Sequence, residues 1–359
     1  TLRRIYLGLV VLAVAAALSS WIRSLPGVMP PPTEAPPLEE GRTPLLPQLH
    51  WSPGGRIPTG RSGLAMAYAD GLYIIGGEDA GGVLDQNLRL QRSLVASWTE
   101  LPRKPVAVRD MAAAVVGGQI VVPGGCDGQG RPTQQVDIFD TEQRRWLVGP
   151  ALPKALCAYG LAVVNGRIYV FGGRLGNDAA SATDEVWSWS PVQAQEGGWR
   201  AEARMARPRY DLAAAALDDV VYVLGGRGAD GQANRNHWIF RPLGAQGSWS
   251  EDKGHQLPEP RAGHAAVGVG LLRQIYVFAG AEDPDAQEVI TLDLGNGGAW
   301  RSGPRILVHP PRQGAAALYR PEGGEIWLAG GADADGNLLN QTLFLNLGQA
   351  LLGSQQVRP

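Results

Sequence analysis

Five arginines recur along the chain, each at or just before a run rich in alanine and glycine. They are Arg61, Arg109, Arg209, Arg261 and Arg312. Guanidinium groups bind carboxylates and phosphates through paired hydrogen bonds, so a cluster of them could hold an anionic ligand. Acids of the protein itself could instead pair with them, and we expect that outcome to dominate. The candidate acids are Glu78, Asp79, Asp127, Glu282, Asp283 and Asp333.

The chain has two cysteines, Cys126 and Cys157. A disulfide between them would close a loop of about 30 residues and stabilise the fold by about 3 kcal/mol. An oxidising compartment favours that bond, whereas two buried free thiols are the alternative, because sequence spacing does not fix the geometry.

Other kinds of chemistry have little support. Glu259, two residues before Arg261, is a candidate general acid or base, as are six other acids nearby. His264 and His309 could approach each other, but no carboxylate or cysteine stands at a ligand-like spacing from them, so we predict no metal and no cofactor. GxSxG, phosphate-loop and HExxH motifs are absent. A net charge of -2 without a basic run argues against a nucleic-acid partner.

A repeat of about fifty residues positions these side chains. Each repeat ends a short apolar run with a doublet of small residues, and a tryptophan precedes the doublet by 25 to 30 residues. The doublets are Gly76-Gly77, Gly124-Gly125, Gly172-Gly173, Gly225-Gly226, Ala279-Gly280 and Gly330-Gly331. The tryptophans are Trp51, Trp98, Trp146, Trp199, Trp249 and Trp300. This pattern is typical of a β-propeller with one four-stranded blade per repeat.

The second repeat predicts strands over 109–116, 119–125, 134–140 and 144–149. First strands rich in alanine suit a crowded central axis, and apolar second strands suit a buried sheet. Because these two strands are antiparallel, all five arginines and both cysteines should lie at one mouth of the central channel. The last repeat lacks a tryptophan strand, so we expect the strand around Trp51 to complete it.

The segment 61–77, RSGLAMAYADGLYIIGG, resembles a kelch repeat, and the resemblance extends over residues 48–348. It implies an all-β, six-bladed kelch-type propeller. Kelch domains of ubiquitin-ligase adaptors grip acidic peptides with arginines at this position, and bacterial kelch mutarotases bind an anionic sugar. By resemblance, the mouth would bind a carboxylate, a phosphate or an acidic protein segment, which makes a small anionic ligand one expected partner.

Residues 5–22 form an uncharged apolar run that follows Arg3 and Arg4. As a helix the run would be about 27 Å long, close to the thickness of a bilayer core. We expect residues 1–23 to be a single transmembrane anchor with a cytoplasmic N-terminus. Ala13-Val14-Ala15 would also suit cleavage of a signal peptide. Residues 24–47, with eight prolines, would be a stiff tether, and residues 349–359 a tail.

Two functions fit these features. The first is a membrane-anchored interaction module on the periplasmic side of a bacterial inner membrane, docking onto a larger membrane complex of photosynthetic or respiratory type. Its partners would be other membrane-protein subunits. The alternative is a periplasmic sugar-acid mutarotase or carbohydrate-binding protein, so the sequence leaves open whether the chain is an enzyme.

Overall fold

The computed structural model describes residues 49–91, 97–192, 197–244, 246–281, 288–306 and 312–348. In this part of the chain, six antiparallel sheets of four strands each form the blades of a β-propeller. Blade 1 contains β2 Ala65–Tyr68, β3 Leu72–Ile75, β6 Asn87–Gln91 and β7 Ser97–Leu101. Blade 2 contains β8 Ala114–Val116, β9 Gln119–Pro123, β10 Val136–Asp140 and β11 Arg145–Val148. Blade 3 contains β12 Gly160–Val164, β13 Arg167–Phe171, β14 Val186–Trp189 and β15 Arg200–Ala201.

The second half of the propeller repeats this order. Blade 4 contains β16 Ala213–Leu217, β17 Val220–Leu224, β18 His237–Arg241 and β19 Ser248–Glu251. Blade 5 contains β20 Ala265–Val269, β21 Gln274–Phe278, β22 Val289–Asp293 and β23 Ala299–Ser302. Blade 6 contains β24 Ala316–Arg320, β25 Glu325–Ala329, β26 Gln341–Asn346 and β1 Trp51–Arg56. A small ribbon pairs β4 Glu78–Asp79 with β5 Gly82–Val83, and four 3-10 turns cover Ala179–Ser181, Lys253–His255, Gly270–Leu272 and Pro321–Gly323.

The N-terminal strand closes the propeller, as the sequence predicted. β1 pairs antiparallel with β26, and Trp51 lies opposite Leu345. Around the axis, the first strand of each blade contacts the first strand of the next, from β2 through β8, β12, β16, β20 and β24 back to β2. Packing between neighbouring sheets therefore forms a continuous ring of hydrophobic core. The second strands lie within it; β13, for example, is buried along its whole length.

The repeated tryptophans connect the blades. Each lies on the outer side of its blade, and five of the six indole Nε1–H groups donate to a backbone carbonyl just after the last strand of the preceding blade. These bonds are Trp51 to Pro304, Trp146 to Pro102, Trp199 to Pro150, Trp249 to Ala203 and Trp300 to His255, at 2.7–3.0 Å. Trp98 differs, because its buried Nε1 has no hydrogen-bond partner among the described residues.

The predicted anchor, the tether and the tail lie outside the described residues. Within the part that the structure describes, no helix is long and apolar enough to cross a membrane.

Candidate functional site at the channel mouth

Six residues, one from each blade, close one mouth of the channel with a ring of backbone hydrogen bonds. Each N–H donates to the carbonyl oxygen of the equivalent residue in the preceding blade, at 2.7–2.9 Å, and the last bond joins blade 1 to blade 6. The ring residues are Gly63, Asp110, Ala158, Asp211, Gly263 and Gly314. All six have φ between 53° and 66°, the left-handed region in which glycine costs least. We call this end of the channel the ring mouth.

Below the ring lies the channel, a cavity of about 190 Å³. Its walls come from the residues that follow each ring residue, and they are mainly small and apolar, such as Ala112, Gly160 and Ala266. Sites for small organic ligands usually enclose about 300–1,000 Å³. The channel is therefore narrow for such a ligand, and no charged carboxylate or guanidinium lines it among the described residues.

The doublets show which residues correspond between blades. The second residue of each doublet donates its N–H to a carbonyl that precedes the first strand of the next blade, at 2.7–3.0 Å. The acceptors are Arg61, Val108, Leu156, Arg209, Arg261 and Arg312. Only four of the five predicted arginines are thus equivalent. Arg109 lies one residue further along, and the position in blade 3 belongs to Leu156, not Cys157.

The difference has a structural reason. The sequence prediction placed each arginine by counting residues back from the doublet, which is correct only if all hairpins have the same length. The hairpin between the first two strands in fact varies in length. Arg61 precedes Gly76 by 15 residues, whereas Arg312 precedes Gly330 by 18, because blade 6 inserts the 3-10 turn Pro321–Gly323.

The four equivalent arginines are buried and bonded to the protein. Arg61, Arg261 and Arg312 donate from Nη1 to the carbonyl of the first doublet residue of their own blade, at 2.7–3.4 Å. Arg312 also pairs with Glu288 at 3.0 Å. Arg209 donates to Asn236 and lies over the ring of Trp238. Burial lowers the pKa of Arg209 to about 10, so it stays charged at neutral pH. These four arginines brace the blades.

The predicted acids behave less uniformly. Glu78 pairs with Arg109 of the next blade at 3.1 Å, as expected for a contact between blades. Asp127 pairs with Arg131 of its own loop, Asp79 accepts from the Gly81 N–H, and Asp333 accepts from Asn337. Glu282 and Asp283 lie outside the described residues.

Six charged side chains on blades 1 to 4 lie around the ring mouth, and four of them were not predicted from the sequence. Arg109 contacts Asp110 at 2.6 Å, Arg174 lies 3.6 Å from Asp110, and Arg227 lies 3.9 Å from Asp211. We call this group the charged sector: Glu78, Arg109, Asp110, Arg174, Asp211 and Arg227. Blades 5 and 6 carry only small or neutral residues at the matching positions: Ala262, Gly263, Ala281, Gln313, Gly314 and Ala332. At these described positions the ring mouth is therefore asymmetric in charge.

A simple signal marked two of the missed residues. Arg174 and Arg227 directly follow the doublets of blades 3 and 4. The two aspartates could be found only through the ring, because their positions hold glycine or alanine in the other blades.

The carboxyls of Asp110 and Asp211 both have a raised pKa. Burial at the crowded mouth raises the pKa of Asp211 to about 6, and the nearby charge of Asp110 raises it further, whereas Arg174, Arg227 and Arg109 oppose the shift. Burial also raises the pKa of Asp110, against the pull of Arg109 and Arg174. Both carboxyls keep some exposure, 23% and 32% of the side chain. Asp211 can therefore exchange a proton near neutral pH.

A disulfide borders the charged sector. Cys126 and Cys157 are bonded, with Cα atoms 5.4 Å apart, inside the usual range for such a bond. The bond links the loop after the doublet of blade 2 to the entry of blade 3, and Arg174 Nη2 lies 3.7 Å from the Cys126 sulfur.

The remaining sequence candidates are Glu259, His264 and His309. Glu259 is bound to Arg261 at 3.4 Å and is about a quarter exposed. Burial lowers the pKa of His264 to about 3, so this channel residue is neutral. His309 is outside the described residues, and no group of histidine, cysteine and acidic side chains in the described part could hold a metal ion.

The Kelch motif model matches two adjacent segments, residues 107–153 and 155–202. These segments are the repeats that contribute Arg109, Asp110, Cys126, Cys157 and Arg174. The chain is a six-bladed propeller with Kelch motifs in two of its repeats. The two matched segments contain the doublets Gly124-Gly125 and Gly172-Gly173 and the tryptophans Trp146 and Trp199.

Among solved structures, 688 chains match this fold. One, titled "Structure of YjhT", aligns with a TM-score of 0.66 at 15% identity, covering 80% of this chain and 95% of that one. At this identity the likeness concerns the fold alone. No curated protein matches the sequence.

Proposed function

We propose that this kelch propeller is an extracytoplasmic binding module. In this proposal, residues 1–23 anchor it in a bacterial inner membrane, residues 24–47 act as a tether, and the propeller docks onto a larger membrane complex, of which photosynthetic and respiratory assemblies are examples. The charged sector is the proposed contact surface.

The asymmetry of the ring mouth carries this proposal. Six charged side chains of both signs lie on blades 1 to 4 at the surface, whereas the channel beneath is narrow and no charged side chain lines it in the described part of the chain. Alternating charges at a surface select a partner with a complementary pattern and fix its orientation, which is what a docking module needs. A substrate chamber would place those groups inside a cavity.

The disulfide supports the proposed location. Disulfides persist in oxidising compartments such as the periplasm and are rare in the cytosol. The anchor interpretation of residues 5–22 places the propeller in the same compartment.

A first experiment tests the docking. The full chain is extracted gently from its native membranes, sized, and its companions are identified by mass spectrometry. We expect it to travel with a stoichiometric membrane complex, and deletion of residues 1–47 to release it from the membrane. Arg174→Glu together with Arg227→Glu should abolish co-migration, whereas the exposed Arg301→Glu should not. A propeller that runs alone would overturn the proposal.

A sugar-acid mutarotase is the second candidate, favoured by one observation. Asp211, with a pKa of about 6, lies beside Arg227 and could move protons at neutral pH next to a bound carboxylate. The test uses NMR to measure the rate at which the anomers of an anionic sugar interconvert. Exchange that the chain accelerates and that Asp211→Asn abolishes would support the enzyme; exchange at the uncatalysed rate would exclude it.

A further inference from the structure

A second pocket lies at the opposite end of the propeller, between blades 6 and 1. It has a volume of about 320 Å³, within the range of small-ligand sites. Its main lining residues are Tyr68, Asp70, Leu72, Arg89, Arg320 and Trp327. We call it the lower pocket. It is remote from the ring mouth because β2 starts near the ring and ends at Tyr68, where the chain turns into β3.

Unequal hairpins explain this pocket. In blade 1 the first strand has four residues and a tight turn, in which Ala69 N–H donates to the Gly71 carbonyl. In blade 6 the first strand has five residues and continues into the 3-10 turn Pro321–Gly323. The hairpin of blade 6 is longer and extends beyond that of blade 1, and the space left between the two hairpins is the lower pocket.

The charges of the lower pocket balance once Glu325, which does not line the pocket but pairs with Arg320, is counted. Arg89 pairs with Asp70 at 3.0 Å, and Tyr73 donates its hydroxyl to the same carboxyl. On the other wall, Arg320 pairs with Glu325 at 3.1 Å. Two cations and two anions give a net charge of zero. A charged ligand would lose hydration without finding an uncompensated opposite charge, so the pocket favours a neutral ligand.

The polar and apolar groups of the lower pocket lie on different sides, which suits a ligand ring with one polar edge and one apolar face. Leu72, Leu90 and Trp327, all three largely buried, form the apolar wall. The Arg320 guanidinium lies over the Tyr68 ring, 4.9 Å from its centre. At the rim, Arg89 and Asp70 remain 24% and 46% exposed. Arginine offers donors and aspartate acceptors, so neighbouring hydroxyls of one ligand can bond both.

We propose that the lower pocket binds a neutral, hydroxyl-bearing ring, such as one sugar unit. The ring's apolar face packs on the aromatic and leucine side chains, and its hydroxyls bond Arg89, Asp70 and the exposed Gln91 amide at the rim. This binding does not depend on docking at the ring mouth.

Saturation-transfer NMR tests the proposal with the full chain in detergent. The probes are glucose, galactose and N-acetylglucosamine, with benzoate as the anionic comparison. We expect at least one sugar to bind with a dissociation constant of about 1 mM, and benzoate not to bind. Tyr68→Ala and Gln91→Ala should each weaken binding about fivefold or more. The exposed Gln143→Ala in blade 2 is the matched control for Gln91, and it should change nothing.

Several outcomes would overturn the lower-pocket site. They are a lack of saturation transfer to every sugar, preferential binding of benzoate, and sugar binding that survives both pocket variants. Asp211→Asn separates the two sites, because it should leave sugar binding at the lower pocket unchanged. Sugar binding lost in Asp211→Asn but kept in Tyr68→Ala would place the ligand at the ring mouth instead.

Discussion

The left-handed residues of the ring show how individual side chains are constrained by the symmetry of the fold. Three blades use glycine at the ring position, whereas blades 2, 3 and 4 use Asp110, Ala158 and Asp211. A side chain in this backbone region costs about 1–3 kcal/mol and persists only where the surroundings hold it. Asp110, Ala158 and Asp211 are therefore each held in this region at a cost in stability.

Asp211 should make stability depend on pH. Its folded pKa of about 6 exceeds the value of about 3.9 in an unfolded chain, so the folded state binds more protons between those values. The stabilisation that this carboxyl contributes is fully present below about pH 4 and is lost as the pH rises through about 6. Because the side chain is partly exposed, we expect a loss of only about 1 kcal/mol. Urea unfolding at pH 4 and pH 7 should show Asp211→Asn gaining that amount relative to wild type as pH rises.

Asp335→Asn, an exposed carboxyl in a loop of blade 6, is the control and should show no such gain. An unchanged difference between Asp211→Asn and wild type across the range would mean that the carboxyl is not perturbed.

The doublets give a second residue-level prediction. A Cβ added at Gly330 would lie 2.5 Å from the Arg61 carbonyl oxygen, and φ there is 64°. Gly330→Ala should therefore destabilise the propeller by about 2–4 kcal/mol. Ala279 already occupies the matching position of blade 5 at φ 65°. Ala279→Gly should be neutral or stabilise by up to about 1 kcal/mol in urea unfolding. Equal losses in the two variants would contradict this explanation.

At the scale of strands and blades, the tryptophans do more than fill space. Each of five indoles joins its blade to the preceding one through a single hydrogen bond, whereas Trp98 Nε1 has no partner in the described chain. This contrast allows the bond to be separated from the packing.

Trp199→Phe keeps an aromatic ring but removes the bond to the Pro150 carbonyl, which should cost about 1 kcal/mol beyond the loss of ring volume. Trp98→Phe removes an unpaired donor and should cost less. Unfolding midpoints in urea compare the two. If Trp98→Phe proves the more damaging, the bond between blades is not the source of the stability.

The sequence predicted the blades well because their signals are local. Apolar second strands, small residues near the axis and repeated tryptophans depend on neighbours within one repeat, and the missing strand of blade 6 indicated closure by Trp51. The mouth was harder to predict. The alignment of Arg109 was wrong by one position because hairpin length varies, and the charged sector combines residues from four repeats that only the closed ring brings together.

For the molecule as a whole, the disulfide is the one covalent link between blades other than the chain itself in the described part. The loop between Cys126 and Cys157 spans 31 residues, so Cys126→Ser with Cys157→Ser should lower the free energy of unfolding by about 3 kcal/mol. Urea unfolding measures this, and wild type with reductant should behave like the double variant. If both match the oxidised wild type, the bond does not stabilise the fold.

Closure by β1 has a consequence for the order in which the blades are encoded. Trp51 lies opposite Leu345, so the first and last strands of the propeller begin and end side by side. The ring of backbone hydrogen bonds is equivalent in all six blades, so the fold does not require any particular blade to come first in the sequence. A short peptide could therefore join residue 348 to residue 49, and the chain could be opened instead at the exposed turn around Gln129. Such a circular permutant should fold to the same propeller, with the ring mouth intact and its termini moved to blade 2.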